Sequence, residues 1–172
     1  MSQATDFYVC PESHAGRIGK GETIVIGNQD PPQTLVLRIL GKLGSEGLIG
    51  SLTINCNASP GHLLIGHGGF TIANLFWFRN LQNRFSILPT PSGSVQLQQP
   101  SIYLTPIEVA QGASGTDFMR RLVQFADVPA RAGSRLRGDM AVIVRPGGST
   151  HHQSLVGGDP TWSIEEEESR RF

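Results

Sequence analysis

Charged residues are scarce in this chain, and lysine is nearly absent. Only 16% of the 172 residues are charged, against about a quarter in ordinary globular proteins. Lys20 and Lys42 are the only lysines among the fourteen basic residues, and the formal net charge is zero. A disordered chain would carry more charge and less apolar surface, so the composition predicts a folded protein. Few lysines and no net charge also favour association over solubility, which predicts a subunit that packs against other copies. Codon bias in the source genome is an equal alternative explanation of the scarce lysines.

Cysteines and long apolar runs are also few. Cys10 and Cys56 could form one disulfide bond, but a disulfide scaffold would contain more cysteines, and we expect two free thiols in a reducing compartment. No run approaches the roughly 18 apolar residues of a membrane span. The first sixteen residues lack the basic and apolar regions of a signal peptide. These absences predict a cytoplasmic chain that makes no contact with membranes.

Turn-forming residues are abundant, and they separate short apolar runs. The chain has 21 glycines and 11 prolines. Residues 48–58 alternate between apolar side chains on one face and Ser51, Thr53 and Asn55 on the other, which is typical of a half-buried strand. Residues 70–80 are compatible with either a helix or a strand, and the strand is favoured. Further strands are predicted over 23–28, 34–43, 62–66, 84–89, 95–109, 140–146 and 160–168.

One segment has helical spacing. Over residues 116–126, Thr116 is a suitable N-cap. Phe118, Leu122 and Phe125 recur at the interval of a helix face, while Arg121 falls outside that face. We therefore expect the three apolar side chains to be buried and Arg121 to be exposed.

About eight strands and one short helix near 116–126 favour an all-β fold, a β-sandwich or jelly roll. No internal repeat or linker divides the chain, so one domain is predicted over 1–172. Within it, 1–20 form an N-terminal segment and 165–172 a charged C-terminal tail.

The histidines are the first candidates for chemistry. His62 and His67 flank a strand-like run that enters the glycine-rich stretch 66–69. Five residues apart on a strand, their side chains would point to opposite faces, and no third ligand of a zinc site is visible nearby. We interpret this stretch as a strand entering a turn. His151 and His152 are interpreted as part of an exposed glycine-rich loop, so none of the four is predicted to bind metal.

Two glycine-rich stretches resemble catalytic or phosphate-binding loops, but each lacks a required partner. The Gly-His-Gly-Gly run at 66–69 would need a serine within Gly-x-Ser-x-Gly to form a hydrolase site, and the chain contains no such pattern. Residues 16–23 have the wrong glycine spacing for a Walker loop. The sequence therefore predicts no catalytic residue, no cofactor and no enzymatic activity.

Arginines are concentrated late in the chain. Three lie in what is predicted to be a flexible loop, and two more lie on the predicted helix. Such a group could hold phosphates of a nucleic acid, although a solvated loop paired with the acidic residues 165–168 is the favoured alternative. The five candidate residues are Arg120, Arg121, Arg131, Arg135 and Arg137.

The pattern of turn-rich strands, one late helix, few lysines and no catalytic set resembles the coat proteins of small icosahedral viruses. The resemblance implies a jelly-roll capsid subunit that assembles with itself around a viral genome, in the virion and in the host cytoplasm during assembly. One departure is that residues 1–15 contain no Lys or Arg, whereas many such coats carry a basic arm.

Two other functions remain open. The first is a β-sandwich module that binds a carbohydrate or peptide through loops near Trp77 or Trp162. The second is a metalloenzyme in which the histidines act as general acids or bases.

Overall fold

The chain folds as a mixed α/β domain. The computed structural model describes residues 4–15, 21–86, 100–133, 140–147 and 150–154. Nine strands are described: β1 (Ala4–Pro11), β2 (Glu22–Ile26), β3 (Leu48–Ile54), β4 (Asn57–Ser59), β5 (His62–Leu64), β6 (Ile102–Leu104), β7 (Ala130–Ala132), β8 (Met140–Val144) and β9 (Thr150–Ser154). Two α-helices, α1 (Thr34–Leu43) and α2 (Gly112–Ala126), accompany 3-10 helices at Glu12–His14, Leu75–Leu81 and Ile107–Ala110.

Seven of these strands form one sheet in the order β2-β1-β3-β6-β7-β8-β9. The first five are parallel, and β8 and β9 extend the β7 edge in antiparallel fashion. When the five parallel strands are numbered by their order along the chain, their order in the sheet is 2-1-3-4-5, which is that of one class of doubly wound α/β sheets. The strands β4 and β5 form a separate hairpin.

Both α-helices pack on the same face of the sheet. The connections from β2 to β3, from β3 to β6 and from β6 to β7 all move in one direction, and right-handed crossovers place such connections on one face. A single apolar core agrees with this arrangement, because it joins strand residues such as Val9 and Ile54 to Ile39 of α1 and Phe118 of α2. We call this side of the sheet the first face.

The opposite side, the second face, carries no α-helix in the part of the chain that the structure describes. The β1–β2 connection moves across the sheet in the other direction and spans only residues 12–21. That is shorter than the dozen or more residues of a helical crossover. Parallel sheets normally have both faces covered, so a second face without a helix is unusual.

This architecture corrects the all-β prediction. A mostly parallel sheet with helices on one face is not a β-sandwich or a jelly roll. The resemblance to viral coat proteins depended on that architecture, so the structure removes the basis for the capsid assignment.

Two segments that we expected to be strands are helical. In residues 34–43, Leu35, Val36, Ile39 and Leu43 are buried, which is the spacing of a helix face rather than of a strand. Each such burial contributes about 2 kcal/mol. Within 70–80, Leu75–Leu81 form a 3-10 helix, in which Phe78 is 1% exposed and Phe76 is 48% exposed. A strand would have placed these two rings on the same side.

Other local predictions are confirmed. β2 overlaps the predicted strand 23–28, β3 and β8 lie within 48–58 and 140–146, and α2 contains the predicted helix. Phe118 and Leu122 are buried, Phe125 is half-buried and Arg121 is exposed. The helix begins four residues earlier than expected, with Gln111 rather than Thr116 as N-cap. The strand predicted over 160–168 and the tail 165–172 lie outside the described residues.

Candidate functional site

The second face presents mainly polar side chains. Because side chains alternate along a strand, residues between the core positions of the first face point to the second. Register places four of them in one row across β1, β3, β6 and β7: Tyr8, Thr53, Tyr103 and Arg131. The next row toward the carboxyl ends of the strands contains Cys10, Asn55 and Thr105. A parallel sheet with two covered faces would be apolar at these positions.

Three of these side chains form a chain of hydrogen bonds. The Thr105 hydroxyl donates to the Asn55 Oδ1 at 2.9 Å, and the Asn55 Nδ2 donates to the Tyr8 hydroxyl oxygen at 2.6 Å. All three residues are half-buried. Asn55 and Thr105 directly follow the last residues of β3 and β6, so these hydrogen bonds lie at the carboxyl ends of the parallel strands. We call these three residues the polar triad.

Backbone hydrogen bonds hold the polar triad in place. The Asn55 N–H donates to the Val9 carbonyl at 2.8 Å, and the Thr105 N–H donates to the Ile54 carbonyl at 3.1 Å. Both bonds continue the parallel ladder beyond the strand ends. Consequently Asn55 and Thr105 have the rigidity of strand residues, although they are the first residues of loops.

Two thiols lie close to the polar triad. Cys10 is on the second face and Cys56 is part of the core of the first face, and both are free and buried. Burial raises the pKa of the Cys10 thiol. Burial also raises the pKa of Cys56 to about 12, with a hydrogen bond to the Leu64 backbone opposing the shift and nearby Cys10 adding to it. Both thiols are therefore protonated at neutral pH, and a protonated thiol is a poor nucleophile.

The stretch around His62 and His67 is a strand entering a glycine turn, as predicted. β5 ends at Leu64, and Gly66, Gly68 and Gly69 follow with φ of 75°, 80° and 69°, a region that side-chain-bearing residues rarely adopt. The His62 Nε2 lies 2.8 Å from the Gly68 carbonyl oxygen. Within the described residues, no group of three His, Cys, Asp or Glu side chains is placed to hold a metal ion.

The second histidine pair has a different location from the one we expected. His151 and His152 lie in β9, paired with Ile143 and Val142 of β8. The prediction of a loop at these positions was wrong. Their regular place in an antiparallel pair could not be inferred from the surrounding glycines.

The five arginines do not form one cluster. Arg120 and Arg121 are exposed on α2, and Arg121 forms an ion pair with Asp117 at 3.4 Å. Arg131 lies in β7 instead of a flexible loop; it is 4% exposed and points to the second face. The sheet therefore separates it from the arginines of α2. Arg135 and Arg137 lie outside the described residues.

Sequence reasoning identified only part of the polar triad. Asn55 was assigned to the polar face of its strand, but Tyr8 was missed because residues 1–20 were treated as an N-terminal segment. The signal was available, since Phe7 and Val9 are apolar and flank Tyr8 with the alternation of a strand. Thr105 lies in the predicted strand 95–109, and the sequence assigned no function to it.

A comparison with protein-family models finds no match to this chain, and neither a search of curated proteins nor a search of solved structures finds one. Among the described helices, none has the length and apolar character needed to cross a membrane. Any function must accordingly be argued from the geometry of the polar triad and its surroundings.

Proposed function

We propose that this chain is a ligand-binding α/β domain that holds its ligand on the second face, at the carboxyl ends of β1, β3 and β6. The polar triad is the observation on which the proposal depends. Three half-buried polar side chains, joined by hydrogen bonds and fixed by ladder bonds, are positioned at the end of a parallel sheet.

The location of the polar triad supports the proposal independently of its chemistry. In open α/β sheets, ligands bind outside the carboxyl ends of the strands, where the strand order reverses. Here the chain passes from β1 to β2 on one side and later to β3 on the other, so the reversal lies between β1 and β3. Tyr8 of β1 and Asn55 after β3 join across that point.

The groups beside the polar triad favour binding over covalent chemistry. The two described thiols beside the polar triad, Cys10 and Cys56, are buried with raised pKa values. Tyr8, Asn55 and Thr105 are polar and uncharged, and such groups give orientation and specificity to ligand sites.

A fragment screen tests the proposal. Thermal unfolding of the full chain is measured with a chemically diverse set of small polar compounds. A compound at 100 times its Kd stabilises the folded state by about 2.7 kcal/mol, which raises the Tm by roughly 5–10 °C in a chain of this size. We expect Asn55→Ala to abolish these shifts, whereas Gln124→Ala, at an exposed site on α2, preserves them. Compounds that stabilise Asn55→Ala as strongly as the wild type would refute the proposed site.

Self-association and contact with nucleic acid stay predictions from composition. Light scattering on the purified chain tests the first. Binding of a labelled RNA, compared between the wild type and a double Arg120→Ala, Arg121→Ala variant, tests the second.

A further inference from the structure

We infer that the group recognised by the polar triad is a neutral hydrogen-bond acceptor, a carbonyl oxygen, and that the Tyr8 hydroxyl donates to it. This inference rests on the proposed function and names the chemistry of its ligand. It follows from the direction of the hydrogen bonds and from the charges on the second face.

The hydrogen bonds of the polar triad run in one direction. The single hydroxyl proton of Thr105 is directed to the Asn55 Oδ1, which turns the amide nitrogen of Asn55 toward Tyr8. The Tyr8 oxygen therefore acts as an acceptor, and its own proton remains for another partner. Among the residues that the structure describes, none accepts that proton from Tyr8. A half-buried hydroxyl proton of this kind is normally given to water or to a ligand, and donation along a chain strengthens the last donor.

Among the residues that the structure describes, the charges on the second face favour a neutral acceptor over an anion. Asp6 lies two residues before Tyr8 on the same face, about 7 Å along the strand, where its carboxylate accepts a hydrogen bond from Ser51 at 2.9 Å. An anionic ligand beside Tyr8 would be repelled by this carboxylate. The cationic Arg131 is three strands away, roughly 14 Å at the usual strand spacing. A carbonyl oxygen accepts the Tyr8 proton without that repulsion.

Asn55 and Thr105 act as positioning residues in this scheme. In Asn55→Asp, both side-chain oxygens accept hydrogen bonds. The Tyr8 hydroxyl therefore donates its proton to the new carboxylate, and the proton is no longer available to the ligand. In Thr105→Val, nothing fixes the Asn55 amide, and its oxygen can turn to accept from Tyr8. Both substitutions are close to isosteric, so their effects on the fold are small compared with their effects on the direction of the hydrogen bonds.

Tyrosine NMR of the full chain measures the Tyr8 donor directly. The chain has two tyrosines, so labelling tyrosine rings with 13C gives two sets of signals, which Tyr103→Phe assigns. Three probes are titrated: N-methylacetamide as neutral acceptor, acetate as anionic acceptor and methylammonium, which has no acceptor. We expect N-methylacetamide to shift the Tyr8 signal saturably, acetate to bind at least about threefold more weakly, and methylammonium to have no effect.

The variants give the decisive comparison. Asn55→Asp should weaken N-methylacetamide binding about 3- to 10-fold, the range of one hydrogen bond. Asn57→Asp adds the same charge at an exposed position two residues away and should leave binding unchanged. If Asn55→Asp binds like the wild type, or methylammonium shifts Tyr8 equally, the inferred ligand chemistry is overturned while binding at the site stands. If no probe moves Tyr8 or any backbone signal at the carboxyl ends of β1, β3 and β6, the proposed function falls as well.

Discussion

Alanine substitutions at two helical glycines should have effects of opposite sign. Gly115 lies in the first turns of α2, where the helix passes close to the 3-10 helix Ile107–Ala110. A methyl group added at Gly115 would lie 2.2 Å from the Ala110 carbonyl carbon and 2.7 Å from its oxygen. Backbone atoms at that distance must shift, and the buried residues Ala110 and Val109 leave little room for them to do so.

The expected magnitude follows from two opposing contributions. Overpacking of this kind costs about 1–3 kcal/mol, and more where backbone must move, whereas alanine is favoured over glycine in a helix by about 1 kcal/mol. We expect Gly115→Ala to destabilise the fold by about 2 kcal/mol. In α1, a methyl group at Gly41 meets nothing within 4 Å. Gly41→Ala should therefore stabilise the fold by about 0.4–1 kcal/mol.

Urea unfolding followed by circular dichroism measures both changes, and thermal unfolding provides a second readout. Gly115→Ala should lower the Tm by about 4–8 °C, and Gly41→Ala should raise it by about 1–4 °C. A Gly115→Ala variant as stable as the wild type would refute the close approach of α2 to Ile107–Ala110. A clear loss of stability in Gly41→Ala would argue against a solvent-exposed helix position there.

Three further predictions concern other parts of the fold. Arg38 donates a 2.6 Å hydrogen bond to a carbonyl of edge strand β2, so Arg38→Ala should uncover that edge and increase association in light scattering, whereas Arg121→Ala should not. The pKa of Cys56 is raised from 9.0 to about 12, so the stability that the neutral buried thiol contributes is present below pH 9 and is lost as pH rises from 9 to 12. The unfolding free energy of Cys56→Ala should therefore fall less steeply across that window than that of the wild type. Parallel plots of unfolding free energy against pH would contradict the shift. Phe78→Ala should cost about 3–5 kcal/mol in urea unfolding and Phe76→Ala under about 1 kcal/mol, because only the first ring is buried; equal losses would restore the strand interpretation.

Strand positions were predictable wherever one face of the strand packs on the core. Residues 48–58 alternate because Leu52 and Ile54 are buried in the apolar core while Thr53 and Asn55 are not. Helix α1 was misassigned because Leu37 and Leu40 fill the gaps between its buried positions. The result is an almost continuous apolar run, which periodicity alone does not assign. With that segment read as a strand, the alternation of strand and helix disappears, and an all-β fold follows.

The polar triad could be predicted only in part, because the order of strands in the sheet is not a local property. The polarity of Asn55 could be read from its own strand. Its contacts with Tyr8 and Thr105 join residues separated by 47 and 50 positions. They exist because β1 and β6 lie on either side of β3, and no pattern within a single segment encodes that neighbourhood.

The short β1–β2 connection makes the two sides of the sheet unequal in what they tolerate. Inward positions such as Val9, Ile54 and Leu104 have no exposed surface, whereas Thr53 and Tyr103, one residue away on the other side, are half-exposed. In a saturation mutagenesis experiment scored by folding, intolerant and permissive positions should alternate along β3 and β6. The second-face positions Cys10 on β1 and Arg131 on β7 are buried and should be intolerant as well. When the same variants are scored by ligand retention, every second-face position next to Asn55 should be intolerant of substitution. Selection for folding and selection for binding then act on alternate residues of one strand.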